Sequence, residues 1–322
     1  MERLTENGYE EKLNGYVRPY LETRRRNGYF LASGQAPCFF SVFSPEEGTE
    51  EKGTLVIVHG FTESIEKYAE VVWYYLQSGY RVCIYEQRGH GRSFHDNGQI
   101  HVTDASSFET YADDLELFLE QVVSRLPGPY YLHAHSMGGG VSALFLERGG
   151  TFFRKAVLNS PLIAPNTYGL PVGLCQAVFR LMMLLGKGEK RIITEKDYPG
   201  KEEFEGSCTS SPERFYGYEH VKRRTPYFQN YCATNRWAWL SLGLKKKILG
   251  KGNPEKVRIP VFVVSAGEDR VVQTPLQKTF CKRLEKGKYL LVPGVRHEIY
   301  LSPDKDFFPY FDDVLNFLEE EA

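Results

Sequence analysis

The stretch Tyr130-Tyr131-Leu132-His133-Ala134-His135-Ser136-Met137-Gly138-Gly139-Gly140 decides how the rest of the chain is read. An apolar, aromatic run stops at a serine, and glycines and a helix-forming segment follow at once. The pattern small-x-Ser-x-Gly, here Ala134 to Gly138, is that of a sharp strand-to-helix turn presenting a serine hydroxyl. Such a serine takes a strained backbone conformation, and bulky side chains two residues away would clash. Ala134 and Gly138 meet that demand. A helix starting near Met137 points its N-terminal amides at whatever the serine attacks. A glycine-rich turn without chemistry could carry the same letters, so the remaining chain must supply the partners.

Outward from this turn, strands and helices alternate. Upstream, Thr54-Leu55-Val56-Ile57-Val58-His59 is a continuous apolar run, the mark of a strand buried on both faces. A helix over 64–78 stops at Gly79, a strand follows over 81–85, and a helix over 107–125 is capped by Ser107 and ended by Pro127-Gly128. Downstream come a helix over 137–148 and a strand over 155–159. This order predicts an α/β fold, a mostly parallel, doubly wound sheet with helices on both faces. Ahead of it, a helical lead-in to about Asn27 is interrupted at Pro19, and Asn27-Gly28 reads as a turn. Strands over 29–32 and 38–43 then form an edge hairpin around Ser33-Gly34-Gln35. The alternation breaks at Ser160-Pro161 and resumes at Ile259, with a helix over 275–284, a strand over 288–292 and a helix over 307–320. The predicted division is a core of residues 1–160 and 254–322 with an inserted helical lid, 161–253. The lid lies over the carboxyl edge of the sheet, where ligands bind in open α/β folds.

Composition excludes several function classes. The 322 residues, 42% hydrophobic and 25% charged, can bury a large core and do not describe a disordered chain. Forty basic against forty-one acidic side chains leave a net charge of -1, which argues against a nucleic-acid partner. Arg24-Arg25-Arg26 and Lys245-Lys246-Lys247 read as solvated turns. Six cysteines without a CxxC pair read as free thiols in a reducing compartment, and the first residues carry no apolar signal core. No segment reaches the ~18 apolar residues of a membrane span. The expectation is a cytoplasmic protein of unspecified oligomeric state.

If Ser136 is a nucleophile it needs a base and an orienting acid. His297, in Pro293-Gly294-Val295-Arg296-His297-Glu298 after the last predicted strand, is the candidate base. Asp269 closes Val264-Ser265-Ala266-Gly267-Glu268-Asp269 at another strand end and is the candidate acid, with adjacent Glu268 as runner-up. The backbone amides of Met137 and Phe61 are the candidate oxyanion donors, Gly60 being the next choice. No metal or organic cofactor is expected. His133 and His135 share a strand face but lack a third ligand nearby. Arg88, His90 and Arg92 fit loop hydrogen bonding better than a grip on phosphate. The segment 171–186 is an apolar helix with a narrow polar stripe, Gln176 and Arg180, and reads as lid core. His135, beside the serine, and Phe179, Met182 and Met183 on that helix are the candidate substrate contacts.

Taken together, the segments Val58-His59-Gly60-Phe61, Glu86-Gln87-Arg88-Gly89-His90-Gly91-Arg92-Ser93, His135-Ser136-Met137-Gly138-Gly139, Gly267-Glu268-Asp269-Arg270-Val271-Val272 and Arg296-His297-Glu298-Ile299 resemble the α/β-hydrolases grouped as serine-aminopeptidase-like. Within that group they are similar to bacterial lysophospholipases and, more distantly, to monoacylglycerol lipases. Thr209-Ser210-Ser211-Pro212-Glu213-Arg214-Phe215 and Trp237-Ala238-Trp239 extend the likeness into the predicted lid. Glu86 stands where many relatives have Asp. The resemblance implies an α/β-hydrolase fold and a Ser136–Asp269–His297 triad. It also implies hydrolysis of a small lipid-like ester through an acyl-enzyme; separately, the apolar helix over 171–186 with Met182 and Met183 allows transient membrane-surface contact through the lid as a second reading. Two alternatives stay open. One is an aminopeptidase, which would need a lid acid such as Glu202, Glu203, Glu205 or Glu213 for a free amine. The other is a non-catalytic binding protein of the same fold, a class that would usually have lost a triad residue.

Overall fold

The computed structural model describes residues 1–321. Eight strands form one sheet: β1 Arg25–Ala32, β2 Ala36–Phe43, β3 Gly53–Val58, β4 Tyr80–Tyr85, β5 Tyr130–His135, β6 Lys155–Asn159, β7 Val261–Ala266 and β8 Gly287–Val292. Their spatial order is β1-β2-β4-β3-β5-β6-β7-β8. Strand β2 runs antiparallel to β1 and β4, and every other neighbouring pair is parallel. Strands β3, β6 and β7 are buried along their whole length, as their continuous apolar runs require. Helices Ala69–Gln77 and Asp304–Glu319 cover one face of the sheet, and Phe108–Gln121, Ser136–Leu146 and Thr274–Arg283 cover the other. The chain leaves β3 toward β4 on one side and returns to β5 on the other. The crevice of this switch lies above the carboxyl ends of the central strands.

Two short-range expectations fail at the amino end. Asn27-Gly28 is no turn: both residues lie inside β1, with Gly28 opposite Phe40. A Cβ at Gly28 would come within 2.7 Å of the Phe40 ring, so the glycine makes room for an aromatic across the strand pair. Nor is Arg24-Arg25-Arg26 a solvated turn. It leads into β1, and the Arg25 guanidinium is buried 2.7 Å from Glu66. The hairpin turn at Ser33-Gly34-Gln35 is where the sequence puts it, with Gly34 and Gln35 both at positive φ.

Between β6 and β7 the chain adds helices Val172–Leu184, Pro212–Arg224 and Asn235–Ile248. Two of these are anchored. Arg214 in the second helix is fully buried, with two nitrogens each 2.9 Å from Glu70 oxygens and a third 2.8 Å from Asp304. The third helix places Trp237, Leu244 and Ile248 in the main core. Helix Val172–Leu184, expected as lid core, is different: none of its residues is buried. Leu174, Val178 and Leu181 face solvent, and Leu184 is 77% exposed. The core reading assumed neighbours all round, but this helix rests on one flank only, where Gln176 Nε2 donates to the Leu242 carbonyl at 3.2 Å.

Candidate active site

Strand β5 ends at His135, and the next residue, Ser136, has φ 50°. Left-handed backbone at a non-glycine residue is strained, and the packing around it holds the conformation in place. A Cβ at Gly138 would sit 2.2 Å from the Val58 carbonyl oxygen, and one at Gly140 2.6 Å from that of Leu162. The glycines therefore let helix Ser136–Leu146 start hard against the end of β3 and the loop after β6.

Three strand ends bring Ser136, Asp269 and His297 together. The Ser136 hydroxyl lies 2.7 Å from His297 Nε2, and His297 Nδ1 lies 2.7 Å from Asp269 Oδ2. The other Asp269 oxygen accepts the amides of Val271 and Val272 at 2.8 and 3.0 Å. Burial alone would raise the Asp269 pKa, but His297 and these two amides together hold it below the ordinary value. An ionised Asp269 can only accept. The imidazole proton therefore sits on Nδ1, and the Nε2 lone pair is free to accept from the serine hydroxyl. Glu268 does not compete: its residue is exposed, and its amide bonds the Val295 carbonyl instead.

The two candidate oxyanion donors are uncommitted. Among the described residues, neither the Phe61 nor the Met137 amide donates to a protein acceptor. Gly60, the second choice, drops out because its amide donates to Glu63 Oε2 at 2.5 Å. The Phe61 ring packs against Trp237 of the inserted segment, with ring centroids 4.5 Å apart.

Sequence reasoning missed the charged network beneath this loop. Glu63 is buried and also accepts from the hydroxyls of Tyr68 and Tyr300, both at 2.6 Å, and from Lys67 at 3.2 Å. Lys67 reaches Glu298 at 2.6 Å. Burial opposes ionisation of Glu63, yet Lys67 and the hydroxyl donors hold its pKa well below the usual carboxylate range. The signal available was Glu63 four residues before Lys67 at a helix start, together with Glu298 beside His297.

The other expected residues divide as follows. His135 packs against the His297 and Tyr300 rings, at centroid distances of 4.8 and 5.1 Å, and is buried. Burial pushes its pKa down to about 4, so it is neutral at pH 7. Its neighbour His133 uses both ring nitrogens, one with the Tyr75 hydroxyl and one accepting from Asn159 Nδ2. Among the described residues no three side chains are grouped to hold a metal ion. Arg88 is taken by Asp114 and Asp96, and Arg92 by buried Glu86, which is the loop-holding role expected of them. A cavity of 280 Å³ opens on His297 between Tyr168, Cys208, Arg270 and Val271. Phe179, Met182 and Met183 are half-buried on the inner side of their helix and do not line it.

The family profile described as serine aminopeptidase, S33, matches residues 49–304, a span that includes Ser136, Asp269 and His297. The chain belongs to this family. The probable lysophospholipase L2 of Haemophilus influenzae is 25% identical to this S33-family chain over 78% of each. Lysophospholipase L2 of Escherichia coli is 27% identical, over 78% of this chain and 75% of the relative. Among solved structures, a soluble variant of Saccharomyces cerevisiae monoglyceride lipase in complex with a substrate analog superposes with a TM-score of 0.72. It shares 22% identity, covering 91% of this chain and 94% of that one. This S33-family chain is thus a hydrolase with the α/β-hydrolase fold, and these three relatives are named as lysophospholipases and a monoglyceride lipase.

Proposed function

We propose that the chain hydrolyses single-acyl lipid esters through a serine acyl-enzyme, in the manner of a lysophospholipase or monoacylglycerol lipase. The observation that carries this is the unbroken relay from Ser136 through His297 to an ionised Asp269, set on a strained turn. Ser136 Oγ attacks the ester carbonyl as its proton passes to His297 Nε2, and the amides of Phe61 and Met137 hold the oxyanion. His297 gives that proton to the leaving alcohol. Water then repeats the sequence on the acyl-enzyme and releases the fatty acid.

The peptidase alternative finds less support. Of the four lid acids, Glu202 is paired with Lys222, Glu203 with Lys201, and Glu213 with the Ser211 hydroxyl, which leaves Glu205 on the wall of the His297 cavity, where Arg270 and Arg296 also lie. We assign the lid role within 161–253 to helix Val172–Leu184, the part not anchored in the core. Its outward apolar face, with Ile193 nearby in sequence at 89% exposed, suits transient contact with a lipid surface. Arg180, Lys246 and Lys247 line the open groove beside it and favour an anionic one. Among the described residues no helix is long and apolar enough to cross a membrane, and six free thiols fit a cytoplasmic setting.

The test is fluorophosphonate labelling and ester turnover on the parent and on Ser136→Ala. Labelling at Ser136 and a loss of roughly 10⁴- to 10⁶-fold are expected. Turnover retained within tenfold in the variant would end the assignment.

A further inference from the structure

A second cavity, of 230 Å³, shares the Gly206-Ser207-Cys208 wall with the one that opens on His297. It is bordered by Thr62, the neighbour of Phe61, and by Glu298, the neighbour of His297. Phe61 and His297 do not themselves line it, and it meets the His297 cavity along the shared Gly206-Ser207-Cys208 wall. Its volume lies below the range of about 300–1,000 Å³ of drug-sized pockets, and suits a polar head group better than an acyl chain.

The far wall is where this cavity departs from what an uncharged alcohol needs. Lys222 sits on the inner side of the last turn of helix Pro212–Arg224 and is 4% exposed, whereas Arg223 and Arg224 beside it face solvent. A buried lysine is rare unless paired. Its ammonium is 3.1 Å from the Glu202 carboxylate and faces the rings of Tyr198 and Tyr231 at 5.4 and 5.2 Å. Burial lowers its pKa, and Glu202 only partly offsets that. Glu202 is the looser partner, on irregular backbone with a side chain 23% exposed. One helical turn before Lys222, Glu219 accepts from the Tyr198 hydroxyl at 3.1 Å and from the Glu202 amide at 3.2 Å. A buried ion pair of this kind contributes little net stability compared with apolar packing. Here the pair borders empty space rather than filling a core.

We propose that this cavity receives the head group of the leaving alcohol and that Lys222 binds a phosphodiester in it, so that zwitterionic lysophospholipids are preferred to uncharged monoacylglycerols. This rests on the ester-hydrolase reading above. The phosphate takes the place of Glu202 at the Lys222 ammonium, exchanging one anion for another at an existing buried cation. The released Glu202, with Glu219 and the face of Tyr231, is left to hold the ammonium at the other end of the head group.

The experiment begins on the unaltered protein, with nitrophenyl butyrate as substrate and glycerophosphoethanolamine or glycerol as inhibitor. The phosphodiester should compete with the ester at a concentration at least tenfold below that of glycerol. Lys222→Met should then lower the ratio of kcat/KM for lysophosphatidylethanolamine to that for monoacylglycerol of equal chain length by at least tenfold. If that variant does not fold, the inhibition series on the parent decides alone. Glycerophosphoethanolamine no better than glycerol, or equal losses on both lipids in Lys222→Met, overturns the proposal. So does preferential cleavage of an aminoacyl-anilide by the parent, which would make the cavity an amine site. Failure of the parent to hydrolyse nitrophenyl butyrate at all would instead remove the ester-hydrolase reading on which the proposal stands.

Discussion

The carboxylate of Glu63 accepts the Gly60 amide at 2.5 Å, one residue before Phe61, whose own amide has no protein acceptor among the described residues. An ionised side chain thus fixes the backbone of the proposed oxyanion loop from below, and two tyrosine hydroxyls and Lys67 fix that side chain in turn. Glu63→Gln keeps the shape but turns one acceptor oxygen into a donor, so a hydrogen bond is lost inside a buried network. Removing an oxyanion donor outright costs about 10²–10³ in kcat. Loosening one should cost roughly 10- to 100-fold in kcat, with KM changed only a few-fold. Steady-state kinetics with a soluble ester check this, and an unchanged kcat would show that the loop holds its form without Glu63.

Only Asp269 of the adjacent carboxylates reaches His297, so Asp269→Asn should lower turnover by roughly 10⁴-fold through the wrong imidazole tautomer. Glu268→Gln should stay within tenfold of the parent. The folded-state pKa of Asp269 lies below its unfolded value of about 3.9. Its contribution to stability is therefore present above that value and is lost as pH falls through the folded pKa. Acid unfolding monitored on the parent and on Asp269→Asn should converge at low pH. A variant curve that stays displaced there would mean the carboxylate charge is not what stabilises.

The arrangement of Ser136, Asp269 and His297 was legible because each follows the end of a strand readable from its local pattern, and because the elbow tolerates only small residues at Ala134 and Gly138. Packing across the chain was not legible. Gly28 looks like a turn residue until Phe40 is seen to fill its space. The apolar helix Val172–Leu184 looks like core until it is seen to lack a second neighbour. Glu63, Lys67 and Glu298 were passed over because ionic groups are ordinarily surface features, and only the fold puts them together. The contacts of His135 were not legible either: beside Ser136 in sequence, it is buried against the rings of His297 and Tyr300.

Glu147, just past helix Ser136–Leu146, is buried, and among the described residues one of its carboxylate oxygens has no partner. Burial pushes its pKa up to about 8, against partial relief from Lys256 and Arg283. The folded state therefore holds this proton over a pH range in which the unfolded chain has released it. Stability from this group is complete below the unfolded pKa of about 4.3 and falls as pH rises toward 8. Glu147→Gln mimics the protonated form. It should raise Tm by at least ~2–4 °C at pH 8, the shift for about 1 kcal/mol in a large domain, and leave it nearly unchanged at pH 4, below the unfolded pKa. Thermal melts at the two pH values decide, and an equal gain at both would trace the effect to something other than the proton.

The last prediction concerns the two sides of helix Val172–Leu184. Its outer side carries Leu181 and Leu184, 55% and 77% exposed, and its inner side carries half-buried Met182 and Met183. If the outer side meets a lipid surface, each leucine buried there contributes about 1.5–3 kcal/mol. The double variant Leu181→Glu, Leu184→Glu should then bind anionic vesicles at least 100-fold more weakly. Turnover of a monoacyl lipid presented in those vesicles should fall relative to turnover of a dissolved short ester. The inner side bears on a different quantity. If it guides the acyl chain, kcat/KM should climb with ester length at up to about 0.8 kcal/mol per methylene, and Met183→Asp should flatten that climb. Vesicle sedimentation and a nitrophenyl ester length series, kept below micelle formation, separate the two effects. Unchanged vesicle binding in the double variant would place the lipid contact elsewhere. A flat length profile in the parent would mean that the chain binds away from this helix.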